Sequence, residues 1–191
     1  MTIHLIRHGK TRATESWLYC GWTDLPLSEN GRKELEGLRK TVAYPDISGC
    51  RIYTSGMERT RQTLEVLYGA MPYTEEPCLK EMNFGVFEMR DYEHLKDDPD
   101  YQRWITGDNM ANVCPKGESG NAMTARVIFA FSWIRARGED AAIFTHGGVI
   151  AAIMEDLFPG QRESRYQWQP KNGLGYTLTF SDGKPQFTEI R

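Results

Sequence analysis

Two histidines stand at the ends of short apolar segments that lie far apart in the chain. His8 follows residues 2–6 and Arg7, His146 follows residues 141–145, and each histidine precedes a glycine. Open α/β sheets place their ligands at the carboxyl ends of their strands, so two such strands would bring both imidazoles to one site. A neutral imidazole can act as a nucleophile once its other ring nitrogen is fixed by a hydrogen bond. The two segments therefore predict nucleophilic chemistry at one edge of a sheet.

Arginines accompany these histidines and indicate the kind of substrate. Arg7 immediately precedes His8, and a third apolar segment at residues 51–55 is followed by Arg59 and Arg61. A guanidinium group offers a planar fork of donors that fits phosphate oxygens. The sequence therefore predicts a phosphate-binding site. Arg61 has the alternative of an ion pair on a helix surface.

The composition limits the class of protein. The 191 residues suit one domain spanning 1–191, and 23 Lys and Arg against 26 Asp and Glu give a net charge of −3. Because proteins that bind nucleic acid are usually basic, this balance argues against a nucleic-acid partner. An anionic substrate would have to be attracted by local positive charge, for which Lys10 and Arg12 are candidates, although both could equally be solvated.

Neither cysteine spacing nor hydropathy indicates a disulfide frame, a metal site or a membrane segment. The first apolar segment starts at residue 2, which leaves no room for a signal peptide, and no apolar run approaches the length of a membrane span. We therefore expect a cytoplasmic protein with no membrane partner; the sequence does not specify an oligomeric state. The cysteines are widely spaced and are expected to be reduced: Cys20, Cys50, Cys78 and Cys114.

The motifs resemble those of the histidine phosphatase superfamily, which also contains the cofactor-dependent phosphoglycerate mutases. They run in family order over nearly the whole chain, and residues 81–90 look closest to the alpha-ribazole phosphatase branch. The matching positions are Arg7-His8-Gly9 with Thr11, Gly21, Asp24, Pro26-Leu27 and Gly31; then Ser55, Arg59 and Gln62-Thr63; then residues 79–85; and finally Pro115, Gly117-Glu118-Ser119 and His146-Gly147-Gly148.

The resemblance implies a role for each of five catalytic residues. His8 would attack phosphorus and form a phosphohistidine that water then hydrolyses. Arg7, Arg59 and His146 would act as fixed cations around the transferred group, helped by backbone N–H groups at residues 147–148, so that neither a metal ion nor a cofactor is needed. Glu81 would protonate the leaving alkoxide as general acid.

Other carboxylates are assigned different roles. Glu88 is the nearest rival to Glu81 as the general acid. Glu118, beside Ser119 at a predicted helix start, is expected to stabilise the first helical turn. The acidic residues within 97–100 form no compact metal site and are interpreted as a solvated surface.

The residues expected to bind substrate include two departures from the family pattern. Thr14 stands where the family commonly has asparagine, and Lys10 replaces a glutamate. A threonine hydroxyl is one donor on a shorter arm, so this phosphate contact could be lost, or it could be supplied by Lys10 or Arg12. The complete expected set is Gly9, Lys10, Thr14, Tyr19, Gly21, Trp22 and Gly147.

A group of aromatic and Met side chains leaves two alternatives open. It could line a pocket for a nucleoside-like or other ring-bearing ester, or it could form the core of a cap. The residues are Trp17, Tyr19, Trp22, Met82, Phe84, Tyr92 and Trp104.

The order of predicted elements favours an α/β fold. We expect a three-layer α/β/α sandwich with a mostly parallel sheet, antiparallel edge strands and an inserted cap at residues 78–118. Residues 12–27 are predicted to form a loop. Helices are predicted at 28–43, 58–68, 121–137 and 149–157, and the tail is predicted to form strands at 164–169, 174–180 and 185–190 with turns at 172–173 and 182–183.

The leading functional hypothesis is a phosphoric monoester hydrolase of the histidine acid phosphatase type that acts on a small phosphorylated metabolite. One alternative is a phosphoglycerate mutase-type isomerase, which is disfavoured because the mutases it resembles are longer, with extra cap sequence and a tail. The other alternative is a catalytically weak protein that binds phosphorylated ligands, to which the residues at positions 10 and 14 point.

Overall fold

A mixed β-sheet forms the middle layer of the fold. The computed structural model describes residues 1–108, 110–181 and 184–191, and in that part of the chain six strands hydrogen-bond in the order β3-β2-β4-β1-β5-β6. Strands β1 to β4 pair in parallel, whereas β5 runs antiparallel to both β1 and the edge strand β6. The strands are β1 (Thr2–Arg7), β2 (Arg51–Thr54), β3 (Thr74–Glu75), β4 (Ala141–Thr145), β5 (Gly175–Ser181) and β6 (Lys184–Ile190).

The helices cover both faces of this sheet, which confirms the predicted three-layer α/β/α sandwich. Alternate residues of β1 point to opposite faces: Ile3 and Leu5 pack with α6 and α7, whereas Ile6 packs with α2 and α3. The helices are α1 (Arg12–Glu15), α2 (Glu29–Thr41), α3 (Glu58–Tyr68), α4 (Tyr92–Leu95), α5 (Pro99–Ile105), α6 (Gly120–Ala136) and α7 (Gly147–Leu157).

The pairing of β1 with β4 brings the two histidine-bearing strand ends together. Arg7 is in register with Thr145, and the backbone N–H of His8 donates to the Thr145 carbonyl at 2.9 Å. Both strands end at this pair of residues, so His8 and His146 lie side by side at the edge of the sheet. The expectation of one shared sheet edge is confirmed in the fold.

Residues 78–118 form a segment of short helices and turns beside this edge. It contains α4, α5 and a 3₁₀ turn at Gly85–Phe87, and another 3₁₀ turn at Pro77–Leu79 leads into it. Its centre is an aromatic cluster in which Phe87 and Trp104 lie 5.6 Å apart between ring centroids. Within the described residues, no helix combines the length and the apolar character needed to cross a membrane.

Two local predictions are wrong. Residues 164–169 are not a strand: Arg165–Trp168 form a 3₁₀ turn that buries Trp168 completely against Phe158 and Phe187. The predicted loop at 12–27 begins with helix α1, because the Thr11 hydroxyl accepts the backbone N–H of Thr14 and caps it. The predicted turn at 182–183 lies outside the described residues.

Candidate active site

His8 is held in one tautomer at the end of β1. Its Nδ1 lies 2.6 Å from the Gly9 carbonyl oxygen, which can only accept, so Nδ1 carries the proton and the lone pair is on Nε2. The side chain is buried, and this burial, with the nearby Arg59 and Arg7 guanidinium groups, holds the pKa of His8 well below 6.5 against the opposing hydrogen bond to Gly9. His8 is therefore neutral at about pH 7 and retains a nucleophilic nitrogen.

His146 faces His8 but is not a cation. Arg59 Nε donates to His146 Nδ1 at 3.3 Å, and His146 Nε2 lies 2.8 Å from the Ser55 hydroxyl. Complete burial, followed by the charge of Arg59, lowers the pKa of His146 well below 6.5. The expectation of a fixed positive charge on His146 therefore differs from the structure, because the same guanidinium that anchors the ring opposes its protonation.

Arg59 is buried at the start of α3 and connects three parts of the site. Besides its bond to His146, Arg59 donates from Nη2 to the Gly21 carbonyl at 2.6 Å and from Nη1 to the Thr23 carbonyl at 3.1 Å. Burial lowers the pKa of Arg59, whereas nearby groups including Glu81 raise it. The guanidinium still has donors to spare, because only three of about five N–H groups are used by these contacts.

Arg7 lies beside His8 with part of its donor capacity free. Its Nη1 donates to the Pro170 carbonyl at 2.7 Å, whereas its buried Nε has no hydrogen-bond partner among the described residues. Burial lowers the pKa of Arg7 and the charge of Glu81 raises it. A buried donor without a partner is costly, so this guanidinium is suited to an anionic ligand.

Glu81 reaches the site from the 78–118 segment. Its Oε2 accepts the backbone N–H of Gly148 at 2.9 Å, and its Oε1 accepts the N–H of Met82 at 2.9 Å. A Cβ atom at Gly148 would overlap this carboxylate, so the glycine provides its space. The first turn of α7, expected to help bind phosphate, thus already interacts with Glu81.

The carboxylate of Glu88 binds backbone groups of two nearby loops. Its carboxylate accepts backbone N–H groups from Gly21, Trp22, Thr23 and Phe84 at 2.8–3.2 Å. Both of its oxygens are thus engaged by backbone donors. The geometry therefore favours Glu81 over Glu88 as a proton donor.

The role predicted for Glu118 is wrong. The first turn of α6 is capped by the Ser119 hydroxyl, which accepts the backbone N–H of Ala122 at 3.1 Å. Glu118 instead accepts the N–H of Asn83 and forms an ion pair with Arg126. Its carboxylate connects α6 to the segment that carries Glu81.

A cavity of about 1120 Å³ opens over these side chains. Arg7, His8, Arg59 and Glu81 line one part of it. Other wall residues come from the chain after Thr11, from the 78–118 segment and from residues 165–172; among them are Trp17, Tyr19, Met82, Phe84, Trp104, Arg165, Tyr166 and Lys171. In the part of the chain that the structure describes, no group of three or more His, Cys, Asp or Glu side chains is arranged to hold a metal ion.

Three of the residues expected to bind substrate line this cavity. They are Lys10, Thr14 and Tyr19. Lys10 is also paired with Glu34 at 2.9 Å, and the Thr14 hydroxyl lies 3.2 Å from the hydroxyl of Thr11. Both polar groups thus have protein partners beside the cavity.

The four other residues of this set are not among the lining residues. Gly9 donates its N–H to Thr63, and Gly21 accepts from Arg59 as described above. Trp22 Nε1 donates to the Glu81 carbonyl at 3.0 Å. Gly147 packs closely against the guanidinium of Arg7. These residues contact other parts of the candidate site without lining the cavity.

The sequence left open whether the aromatic residues line a pocket or form the core of a cap, and some of them do both. Tyr19, Phe84 and Trp104 belong to the packed core and also line the cavity. Trp17 lines the cavity with 88% of its surface exposed and adopts a left-handed backbone conformation with φ 57°. Tyr92 is exposed and is not among the residues that line the cavity.

Several supporting residues were absent from the predicted site. Ser55 contacts His146, Asn172 Nδ2 donates to the His8 carbonyl at 2.9 Å, and Thr63 Oγ1 accepts from Gly9. Ser55 and Thr63 are among the positions around Arg59 that match the family motif, so the sequence offered a signal for both. Asn172 was interpreted only as part of a turn, and nothing in its local pattern points to His8.

Known proteins share sequence and fold with this chain. The profile of the family described as histidine phosphatase superfamily (branch 1) matches residues 3–191. The adenosylcobalamin/alpha-ribazole phosphatase of Salmonella typhimurium is 30% identical over 190 residues, which cover 96% of this chain and 92% of that protein. Two solved structures show the same fold at 24% identity: the alpha-ribazole phosphatase of Shigella flexneri (TM-score 0.85, covering 100% and 96% of the two chains) and YhfR of Bacillus stearothermophilus (TM-score 0.80, covering 98% and 95%).

Proposed function

Because the chain belongs to the histidine phosphatase superfamily, we propose that it is a metal-independent phosphomonoesterase of the histidine acid phosphatase type that works through a phosphohistidine on His8. The observation that carries this proposal is the geometry around that imidazole. Its Nδ1 is fixed by the Gly9 carbonyl, and its ring lines the same cavity as Arg7, Arg59 and Glu81.

The first step transfers the phosphoryl group to the protein. The Nε2 lone pair of neutral His8 attacks phosphorus, and the bond from phosphorus to the ester oxygen breaks. Arg7 and Arg59 stabilise the charge on the equatorial phosphoryl oxygens. The protonated carboxyl group of Glu81 gives its proton to the departing oxygen, which leaves as an alcohol.

The second step restores the protein. A water molecule attacks the phosphorus of phospho-His8 while the Glu81 carboxylate accepts its proton. The bond from phosphorus to Nε2 breaks, inorganic phosphate leaves, and neutral His8 is regenerated. Each group thus returns to the protonation state in which the cycle began.

The substrate that we propose is a small phosphorylated metabolite whose alcohol carries a ring. The mixed aromatic wall formed by Trp17, Tyr19, Phe84 and Trp104 supports this class. The name of the Salmonella relative makes alpha-ribazole phosphate the first compound to examine. A panel of phosphomonoesters should also contain 3-phosphoglycerate, since its conversion to the 2-isomer faster than phosphate release would identify a mutase instead.

The proposal is tested by turnover of an aryl phosphate. His8→Ala should abolish hydrolysis, whereas His94→Ala, which alters an exposed histidine paired with Asp91, should retain it. Turnover by the unaltered protein should persist after dialysis against a chelator. Full activity of His8→Ala, or complete loss on chelation that is restored by a divalent metal ion, would contradict the proposal.

A further inference from the structure

We propose that Arg126 is a positioning residue that holds the general acid Glu81 through the backbone of residues 78–81. This inference rests on the proposed function. Arg126 lies on α6 and is not among the residues that line the cavity. It would therefore act on the reaction only through Glu81.

The guanidinium of Arg126 uses its full set of donors. Nη1 donates to the carbonyls of Cys78 at 2.8 Å and Lys80 at 2.7 Å, and Nη2 donates to the carbonyl of Glu81 at 2.9 Å. The remaining two N–H groups bind Glu118: Nη2 to Oε1 at 2.5 Å and Nε to Oε2 at 3.0 Å. Since a guanidinium has about five N–H groups, no donor is left over.

Glu118 extends the same connection beyond Glu81. Its Oε1 accepts the N–H of Asn83 at 2.8 Å, and its own N–H donates to the Asn83 carbonyl at 3.0 Å. The backbone is thus held on both sides of Glu81, before it by Arg126 and after it by Glu118. The pair is largely removed from water, with side-chain exposures of 18% and 16%. Such charge-assisted, bidentate contacts fix geometry more strongly than exposed ion pairs.

These contacts fix Glu81 relative to two different helices. Its carboxylate bonds to Gly148 on α7, while its backbone is bonded to Arg126 on α6. A general acid has to lie within hydrogen-bond reach of the atom it protonates, and displacement by about 1 Å can cost about 100-fold in rate. Loss of the Arg126 contacts would let the segment shift and would misplace the carboxylate without altering His8.

A leaving-group comparison separates this role from a general loss of structure. A nitrophenyl phosphate releases a stable phenolate and has little need of an acid, whereas an alkyl phosphate needs protonation of its leaving oxygen. For Arg126→Gln we expect kcat/KM to fall about 30- to 100-fold on the alkyl ester and less than about 3-fold on the nitrophenyl ester. Arg126→Lys, which keeps the charge but not the fork, should show a smaller loss with the same selectivity.

Two further variants serve as controls for Arg126→Gln. The double variant Glu118→Gln/Arg126→Gln removes both buried charges and should show the same selectivity, so the test does not depend on one variant that leaves Glu118 unpaired. Arg90→Gln is the matched control, because Arg90 also binds one carboxylate and one carbonyl, those of Asp98 and His94, without touching the Glu81 segment. Its leaving-group dependence should equal that of the unaltered protein.

Glu81→Gln removes the proposed general acid itself, so its leaving-group dependence is the reference for the Arg126 variants. A selective loss for Glu81→Gln together with an equal loss on both esters, or no loss, for the folded Arg126 variants would overturn this inference alone. Equal losses on both esters for Glu81→Gln would instead refute the acid role of Glu81 and the Arg126 inference with it. Selective losses in both sets of variants would support the inference.

Discussion

The imidazoles of His8 and His146 meet edge to face, with ring centroids 5.1 Å apart and planes inclined by 62°. The parallel pairing of β1 with β4 imposes this contact, because each histidine directly follows the last paired residue of its strand. The two rings share Arg59 as a neighbour, and burial with nearby positive charge lowers the pKa of both. A pair of neutral histidines is thus built into the sheet edge.

The first prediction concerns stability and pH. In the unfolded chain a histidine titrates at about pH 6.5, whereas folded His8 and His146 stay neutral to lower pH. Below about pH 6.5 the unfolded state binds more protons than the folded state, so the free energy of unfolding should fall as the pH falls. The slope should reach up to about 1.4 kcal/mol per pH unit for each imidazole. Above about pH 6.5 these two histidines should no longer make the free energy of unfolding depend on pH.

Urea unfolding between about pH 7.5 and 5 measures this slope. His8→Asn, whose amide can still donate to the Gly9 carbonyl, should reduce the slope. An identical slope in His8→Asn and the unaltered protein would contradict the prediction.

The second prediction concerns Gly148→Ala. The added methyl group would displace the Glu81 carboxylate, so kcat/KM for an alkyl phosphate should fall about 10- to 100-fold with a smaller loss on a nitrophenyl ester. Gly37→Ala is the control, because Gly37 is an exposed α2 residue with open space around it. That change should keep activity and stabilise the protein by about 0.5–1 kcal/mol. Unaltered kinetics in Gly148→Ala would show that Glu81 does not need its present position.

The third prediction distinguishes Glu88 from Glu81. Glu88→Gln weakens acceptance of four backbone N–H groups, so the free energy of unfolding should fall by about 1–3 kcal/mol. Because the same loop contacts Arg59 through Gly21 and Thr23, activity should fall to a similar extent on esters with good and poor leaving groups. Thermal unfolding and the two rates provide the measurement. A loss confined to the alkyl ester would make Glu88 the acid.

The fourth prediction concerns the exposed Trp17 at the cavity. If Trp17 packs against a substrate ring, Trp17→Ala should raise KM for an ester of a ring-bearing alcohol about 5-fold, corresponding to about 1 kcal/mol, with little change for glycerol phosphate. Trp133→Ala is the matched control, because Trp133 is a partly exposed tryptophan that contacts Tyr53 and Arg137 away from the cavity. Equal effects on both esters would exclude a ring contact by Trp17.

The meeting of the two histidines was predictable because it follows from strand order and polarity. Apolar segments that end in His-Gly identify strand ends, and parallel neighbours put those ends at one edge. The protonation state of His146 was not predictable, since it depends on how deeply the ring is buried and on the orientation of Arg59 toward it. Those are properties of tertiary packing.

Arg126 shows a signal that was present but unused. It stands three residues after the buried Met123 and four before the buried Ala130, so helical spacing puts an arginine on the apolar face of α6. An arginine in that position needs a buried anion or hydrogen-bond acceptor as its partner. Its partner Glu118 was assigned to helix capping, because sequence spacing alone does not show that its carboxylate turns toward residues 78–83.

The wrong strand at residues 164–169 has a different cause. Its alternation of polar and aromatic residues has a period of two, as a half-exposed strand would have. The 3₁₀ turn achieves the same burial of Trp168, with the Ser164 hydroxyl accepting the N–H of Tyr166 as a cap. Packing of that indole against Phe158 and Phe187 decides the conformation, and those residues are distant in the sequence from one another.

The phosphoryl-protein intermediate is the most direct test of the account. The protein is mixed rapidly with an aryl phosphate, quenched in alkali because phosphohistidine is labile in acid, and analysed by mass spectrometry of its peptides. The account predicts one phosphoryl group on His8, and not on the neighbouring His4, with the same label in His94→Ala and none in His8→Ala. Turnover without labelled His8, or an equal label in His8→Ala, would contradict it.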